Sequence, residues 1–379
     1  MLNEKKKRLD YIDWAKAISI ILIVAGHMLP KGCGPKTLAY AFHVPIFALI
    51  GGLLFSAPKS ASDFGKKLFG IFKRMVVPYV IWFVVSAAFY WQSPDNMSVV
   101  VAELATKDWL EILKCFVFYN NITIWNDPLW FMPCYIFISC LFLVFITLAR
   151  GSIIAAGALS VTSIGTLVVL ERLGITVNAG DVKNVFGLKN YFLLLGFLAA
   201  GYALRPLLDK CAEFSENPRK NPFLYGAVLT FIVFSALCLM HNRVDANPGG
   251  YYVISMFSGR YNGVLAFFLF GLVLSVSLVI ALMLLPKSRI ANLLSRNSLF
   301  IMVSHYFFFF DITFYQFNGA AWRSFVTKAD LQYWQWDMAV GFRDAVFIIV
   351  FYIILLFGVD LLLKRFPKIK TPFGFIGIQ

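Results

Sequence analysis

The sequence predicts an all-α integral membrane protein, with about ten transmembrane helices, both termini in the cytoplasm and no soluble domain. Three observations carry this. Of 379 residues, 60% are hydrophobic and only 14% charged, against roughly 25% charged in soluble domains. Forty Phe, sixteen Tyr and nine Trp suit a lipid-facing surface with aromatic belts at its interfaces. Lys and Arg recur in alternate connections between the apolar runs, as they do in an oriented membrane chain. A net charge of +14 would suggest nucleic acid for a soluble protein. Here it serves orientation, and no nucleic-acid partner is expected.

A span takes about 20 apolar residues. Such runs fall near 12–30, 40–57, 75–92, 129–149, 152–170, 190–207, 222–240, 261–285, 298–317 and 343–363. The first follows the basic run Lys5–Arg8 and resembles a secretory leader. It has no small-residue cleavage site and many spans follow, so it reads as an uncleaved span. The second run is short. The third is preceded by Lys66, Lys67, Lys73 and Arg74, with Pro78 one turn inside. The connection 93–127 is the longest, and Val99–Phe118 has the mixed polarity of an interfacial helix. The fourth run opens in "NDPLWFMPCYIF", Asn126–Phe137. With the N-terminus inside, the basic clusters at Lys5–Arg8, Lys66–Arg74, Arg205–Lys220, Lys287–Arg296 and Lys364–Lys370 all fall on the cytoplasmic side. No repeat or low-complexity tract divides the chain, so 1–379 reads as a single transmembrane domain.

Polar groups inside apolar runs are the candidate chemistry, because an ionisable side chain in lipid is costly. "YIDWAKAISIILIVAGHM" holds Asp13, Lys16 and His27 in the first run. Lys16 and His27 are eleven residues apart; at 100° per residue this is about 20° past three full turns, so they share a face roughly 16 Å apart. Asp13 is placed to reach Lys16 as an (i, i+3) partner. As an alternative, Lys16 snorkels to the interface beside Asp13 and His27 caps the helix. Of the four histidines, His27, His43 and His305 all fall within runs, whereas His241 sits at a loop edge. Imidazole is the usual general base near neutral pH. Lys73 and Arg74 suit either a positive-inside anchor or a phosphate site, and Trp130 suits an interfacial belt. No Cys pair or Cys/His cluster has metal-ligand spacing, so no metal is expected and no disulfide is needed; Cys33 and Cys115 fall in external segments.

At these residues the sequence resembles the acyltransferase-3 family of multi-pass membrane acyltransferases, and within it the fucose 4-O-acetylase-like sugar acetyltransferases. The resemblance rests on five blocks in order. The first is "DWAKAISIILIVAGH", where the wider family carries Arg and this branch, like Lys16 here, Lys. The others are His43, Pro45, Phe47, Gly51 and Gly52; Lys73, Arg74 and Pro78; Leu129–Phe131; and Asn297, Ser298, Leu299 leading to His305. Together they cover nearly the whole chain.

The resemblance implies transfer of an acyl group, most often acetyl, from cytoplasmic acetyl-CoA or another short acyl-CoA. The acceptor it implies is a sugar hydroxyl of a surface or exported glycan, or of its lipid-linked precursor. The setting it implies is the bacterial inner membrane. On this expectation Lys16, Lys73 and Arg74 take the CoA phosphates, and the pantetheine arm runs up the stripe to His27 as general base, or as transient acetyl carrier. His305 is the second candidate base, or orients the acceptor or the thioester carbonyl. His43 and Trp130 line the acceptor pocket, and Asp13 orients Lys16. Two other readings compete: a transporter with Asp13, Lys16, His305 and Asp311 along its path, and a non-catalytic partner in glycan export. Membrane lipid is a partner on every reading. Oligomeric state stays open, a homodimer included.

Overall fold

The computed structural model describes residues 9–91, 126–174, 188–213, 221–245, 249–256, 259–306, 338–367 and 370–378. The expected interfacial helix at 99–118, Cys115, Asp311 and the second half of the ninth run lie outside the described residues.

Among the described residues the regular secondary structure is all helical, with isolated bridges between Arg243 and Tyr251 and between Ser255 and Arg260. Nine helical stretches among the described residues are long and apolar enough to cross a bilayer, and the protein is an integral, multi-pass membrane protein. The first span is α1, Asp10–Met28. The second is split into α2, Gly34–Phe42, and α3, Pro45–Leu54. Pro45 has no N–H to donate to the ladder, and the helical hydrogen bonding lapses at His43 and Val44, although both keep right-handed helical dihedrals. Inside a membrane a break of this kind is tolerated where it is buried in protein or lines a cavity.

The third span is α4, Ala61–Ile71, then a π-helical turn at Phe72–Val76, then α5, Val77–Trp91. Within the π turn the Val77 amide donates to the Phe72 carbonyl, one residue further back than in an α-helix. The slip falls immediately before Pro78, whose ring would otherwise press on the Arg74 carbonyl. A 3₁₀ turn at Asp127–Trp130 leads into α6, Phe131–Leu148. The next spans are α7, Ile153–Arg172, α8, Leu188–Glu213, α9, Pro222–His241, and α10, Val264–Ala281. Two short helices follow, α11, Arg289–Arg296, and α12, Ser298–Tyr306, then α13, Met338–Arg365, and α14, Lys370–Phe375.

Packing sorts these helices into an inner and an outer group. α3 lies directly on α8, and α8 on α7. The α3–α8 crossing is set by Gly52 and Gly201: a Cβ at Gly52 would strike the Leu198 carbonyl, and one at Gly201 the Leu49 carbonyl. Small residues let membrane helices approach backbone to backbone. α1 packs on α11 and α13, burying Ala15, Ala17, Ile20 and Val24. The outer helices show apolar side chains such as Ile154, Val161, Leu229, Ile232, Ile354 and Leu361, a surface that suits lipid and not water.

Candidate active site

The end of α1 and the broken second span meet around a cavity of about 250 Å³. Its wall takes Ile23 and His27 from α1, Lys31 from the connection, and Lys36, Tyr40, His43, Val44 and Phe47 from the second span. Pro128, Trp130 and Phe131 close a second side, Met302 of α12 a third, and Val253–Met256 cover it from the loop after α9. Three of the residues expected from sequence, His27, His43 and Trp130, therefore line one cavity.

His305 stands behind the cavity wall. Its ring centroid lies 5.1 Å from that of His27, tilted by 53°, so the imidazoles of α1 and α12 are in contact. His305 is fully buried, and its Nδ1 donates to the carbonyls of Ile301 and Met302, each at 2.9 Å. Both partners are acceptors, so the neutral ring carries its proton on Nδ1 and presents Nε2 as a bare acceptor. That Nε2 is buried without a hydrogen-bond partner among the described residues, the state of a base awaiting a proton. Ser304 beside it shares a 2.6 Å hydrogen bond with the Tyr352 hydroxyl on α13, which fixes α12 against its neighbour.

His43 is held in the same manner: its Nδ1 donates to the Ala39 carbonyl at 2.7 Å, which anchors the ring at the break. Tyr40 bridges the pair, with its ring 4.6 Å from His43 and 6.5 Å from His27. Gly26 makes this possible, since a Cβ there would come within 2.5 Å of the Tyr40 ring. The aromatic side of the cavity depends on Asn126, which holds φ at 133°. Asn is among the few residues that tolerate positive φ. Its Nδ2 donates 2.6 Å to the Val303 carbonyl, so the turn carrying Pro128 and Trp130 is clamped to the His305 helix.

The other expected residues lie elsewhere. Asp13 is buried, and its two carboxylate oxygens accept from Asn292 Nδ2 at 3.1 Å and Ser295 Oγ at 2.7 Å. It thus ties the start of α1 to α11. Lys16 is half-buried on the next turn. Lys73 and Arg74 are exposed on the π turn. None of these four lines the cavity.

Reasoning from sequence missed Lys36 and Tyr40. Both sit at the edge of the second run, where a lysine reads as a rim charge and a tyrosine as an interfacial ring. It also missed the Val253–Met256 cover, a stretch without helical or strand periodicity that would have singled it out. Among the described residues no group of three or more His, Cys, Asp or Glu is gathered closely enough to hold a metal ion.

A family model described as an acyltransferase domain, that of the acyltransferase-3 family, matches residues 9–364. No curated protein and no solved structure matches the chain.

Proposed function

The chain belongs to the acyltransferase-3 family, and from that premise we propose that it moves an acetyl group from cytoplasmic acetyl-CoA to a sugar hydroxyl. The acceptor is a cell-surface or exported glycan, or its lipid-linked precursor, and the setting is a bacterial inner membrane. The observation that carries the reading is the His27–His305 contact at a cavity wall, 5.1 Å between ring centroids, with a bare, buried Nε2 on the inner ring.

At about 250 Å³ the cavity is smaller than the roughly 300–1,000 Å³ pockets that enclose whole drug-sized ligands. It suits one sugar ring or the acyl end of a donor, not an entire cofactor. The donor's bulk then lies outside it. Lys16, Lys73 and Arg74, toward the opposite end, are the groups we assign to the CoA phosphates.

In the reaction His27 removes the proton of the acceptor hydroxyl as its oxygen attacks the thioester carbonyl. The tetrahedral intermediate collapses, the carbon–sulfur bond breaks, and the CoA thiolate leaves and takes the proton back from the imidazolium. His305 orients His27 and offers Nε2 to share its proton. Trp130 and Tyr40 supply faces on which a sugar ring stacks, His43 a polar contact, and burial keeps water from the thioester.

The test is acyl transfer by the purified protein in lipid nanodiscs, with radiolabelled acetyl-CoA and a glycan extract of the host. Label is expected in the glycan with wild-type protein and not with His27→Ala at equal membrane abundance. Full transfer by the His27→Ala variant, or no label from wild-type protein across acyl-CoA donors, overturns the assignment.

A further inference from the structure

Lys36 is the least expected charge in the molecule. It is 7% exposed, and its Nζ donates to the Leu29 carbonyl at 2.8 Å. The same nitrogen lies 5.4 Å from the Tyr40 ring centroid. An ammonium has three protons to donate, and among the described residues one hydrogen bond takes one of them. No Asp or Glu is among the described residues lining the cavity that Lys36 faces. The other ionisable groups lining it are His27, His43, Tyr40 and Lys31, the last exposed at the rim. Among the described residues nothing there is negative.

A buried cation needs a counter-charge or a full set of acceptors, because removing it from water costs several kcal/mol that one carbonyl does not return. Elsewhere the protein supplies such partners: Arg296 is paired with Asp360, which also takes Lys364 at 2.8 Å. At Lys36 the protein supplies a cavity instead. We propose that this cavity is an anion subsite, in which Lys36 binds a carboxylate or phosphate group carried by the sugar that enters beside His27. The acceptor class is thus an acidic sugar, either a uronic acid or a sugar phosphate. Lys31 at the rim draws the anion in, and Tyr40, under the ammonium, stacks against the ring that bears it. The inference deepens the acceptor half of the function proposed above and rests on the cavity being the acceptor site.

The experiment is equilibrium binding to the purified full-length protein in nanodiscs by titration calorimetry, with glucuronate, glucose 1-phosphate and glucose as probes and no acyl donor present. At least one anionic probe is expected to bind tenfold to a hundredfold more tightly than glucose, the range of a charged hydrogen bond. Whichever of the two is favoured identifies the group as carboxylate or phosphate. The preference is expected to vanish in Lys36→Gln and to persist in Lys36→Arg, with the thermal midpoint checked for each. Equal binding of all three probes, binding of none, or an anion preference that survives Lys36→Gln overturns the proposal. So does displacement of the anionic probe by coenzyme A, which would place Lys36 with the donor's phosphates. Should Lys36→Gln fail to fold, the three-probe comparison and the coenzyme A competition on wild-type protein decide it. Because no transfer is needed, an anion preference without acyl transfer would sink the catalytic reading and leave the subsite standing.

Discussion

Arg296 and Lys36 belong to opposite ends of the helix bundle, one near the start of α1 and the other near its finish, and their surroundings differ in kind. Arg296 is paired with Asp360, which also binds Lys364. Close by, the Asp13 carboxylate is filled by Asn292 and Ser295. Those contacts join α1, α11 and α13 into one scaffold. Lys36 is more deeply buried than Arg296, yet among the described residues its hydrogen-bond acceptor is a single backbone carbonyl. Around it, His43 and His305 spend their Nδ1 protons on their own helices. Among the described residues at the first end, charges are matched by opposite charges or by paired polar groups, as structural groups are, with Arg296 Nε alone left unpaired beside its ion pair. At the second end donors and acceptors are held in place but kept available, which is how a binding site differs from a scaffold.

The sharpest way to break this comparison is at the imidazoles. His27→Ala is expected to lower the turnover rate by about 10²–10⁴-fold, the usual worth of a positioned general base. His305→Ala should fall in the same range if the two rings act as a unit. The double variant should then be little worse than the worse single one, because groups that work together are non-additive. Multiplicative losses in initial-rate measurements would show two independent roles.

Smaller effects separate the two ends by stability. Asp360→Ala strands Arg296 and Lys364 and should cost roughly 1–3 kcal/mol of stability, read as a lower thermal midpoint in detergent. Lys36→Met removes a buried charge that has no carboxylate partner among the described residues, and stability should stay within about 1 kcal/mol of wild type. A destabilisation by Lys36→Met as large as that of Asp360→Ala would erase the distinction. Asp13→Ala belongs with the first group: it orphans the Asn292 amide and the Ser295 hydroxyl, for roughly 1–3 kcal/mol. Asp13→Asn, which keeps one acceptor oxygen, should recover part of the loss. If instead Asp13 chiefly orients Lys16, the Michaelis constant for acetyl-CoA will rise while the thermal midpoint holds.

The sequence carried much of this plan, and the parts it withheld share a cause. His27, His43 and His305 stood out because imidazole is costly among aliphatic neighbours, and the structure places all three at or behind the wall of one cavity. The helical runs were legible from length and apolarity alone. The break between α2 and α3 was not, because a single proline in an apolar run marks a kink only when its neighbours are known. Asn126 escaped notice because its role is a positive φ and a hydrogen bond to Val303, 177 residues away. Asp13 was legible as a local partner for Lys16; its hydrogen bonds to Asn292 and Ser295 of α11 were not, because they span 279 and 282 residues of sequence. Lys36 was hidden by position. Within a run it would have been conspicuous; at the edge it was counted with the rim charges.

Lys73 and Arg74 test the comparison from the exposed side. They project from a π turn that exists to absorb Pro78, so their placement alone does not distinguish a membrane anchor from a phosphate site. A functional role predicts a small, specific effect. Lys73→Ala and Arg74→Ala should each raise the Michaelis constant for acetyl-CoA by about twofold to fivefold, the range of an exposed ion pair, with little change in turnover rate. The effect should shrink as salt is raised, since exposed charges are screened within about 10 Å at 0.1 M ionic strength. Anchoring residues would leave that constant alone and lower the amount of correctly inserted protein instead. If both variants insert normally and bind acetyl-CoA as wild type does, the donor's phosphates must dock elsewhere. The cations of the cavity end would then become the next candidates, and the line between scaffold and site would have to be redrawn around Lys36.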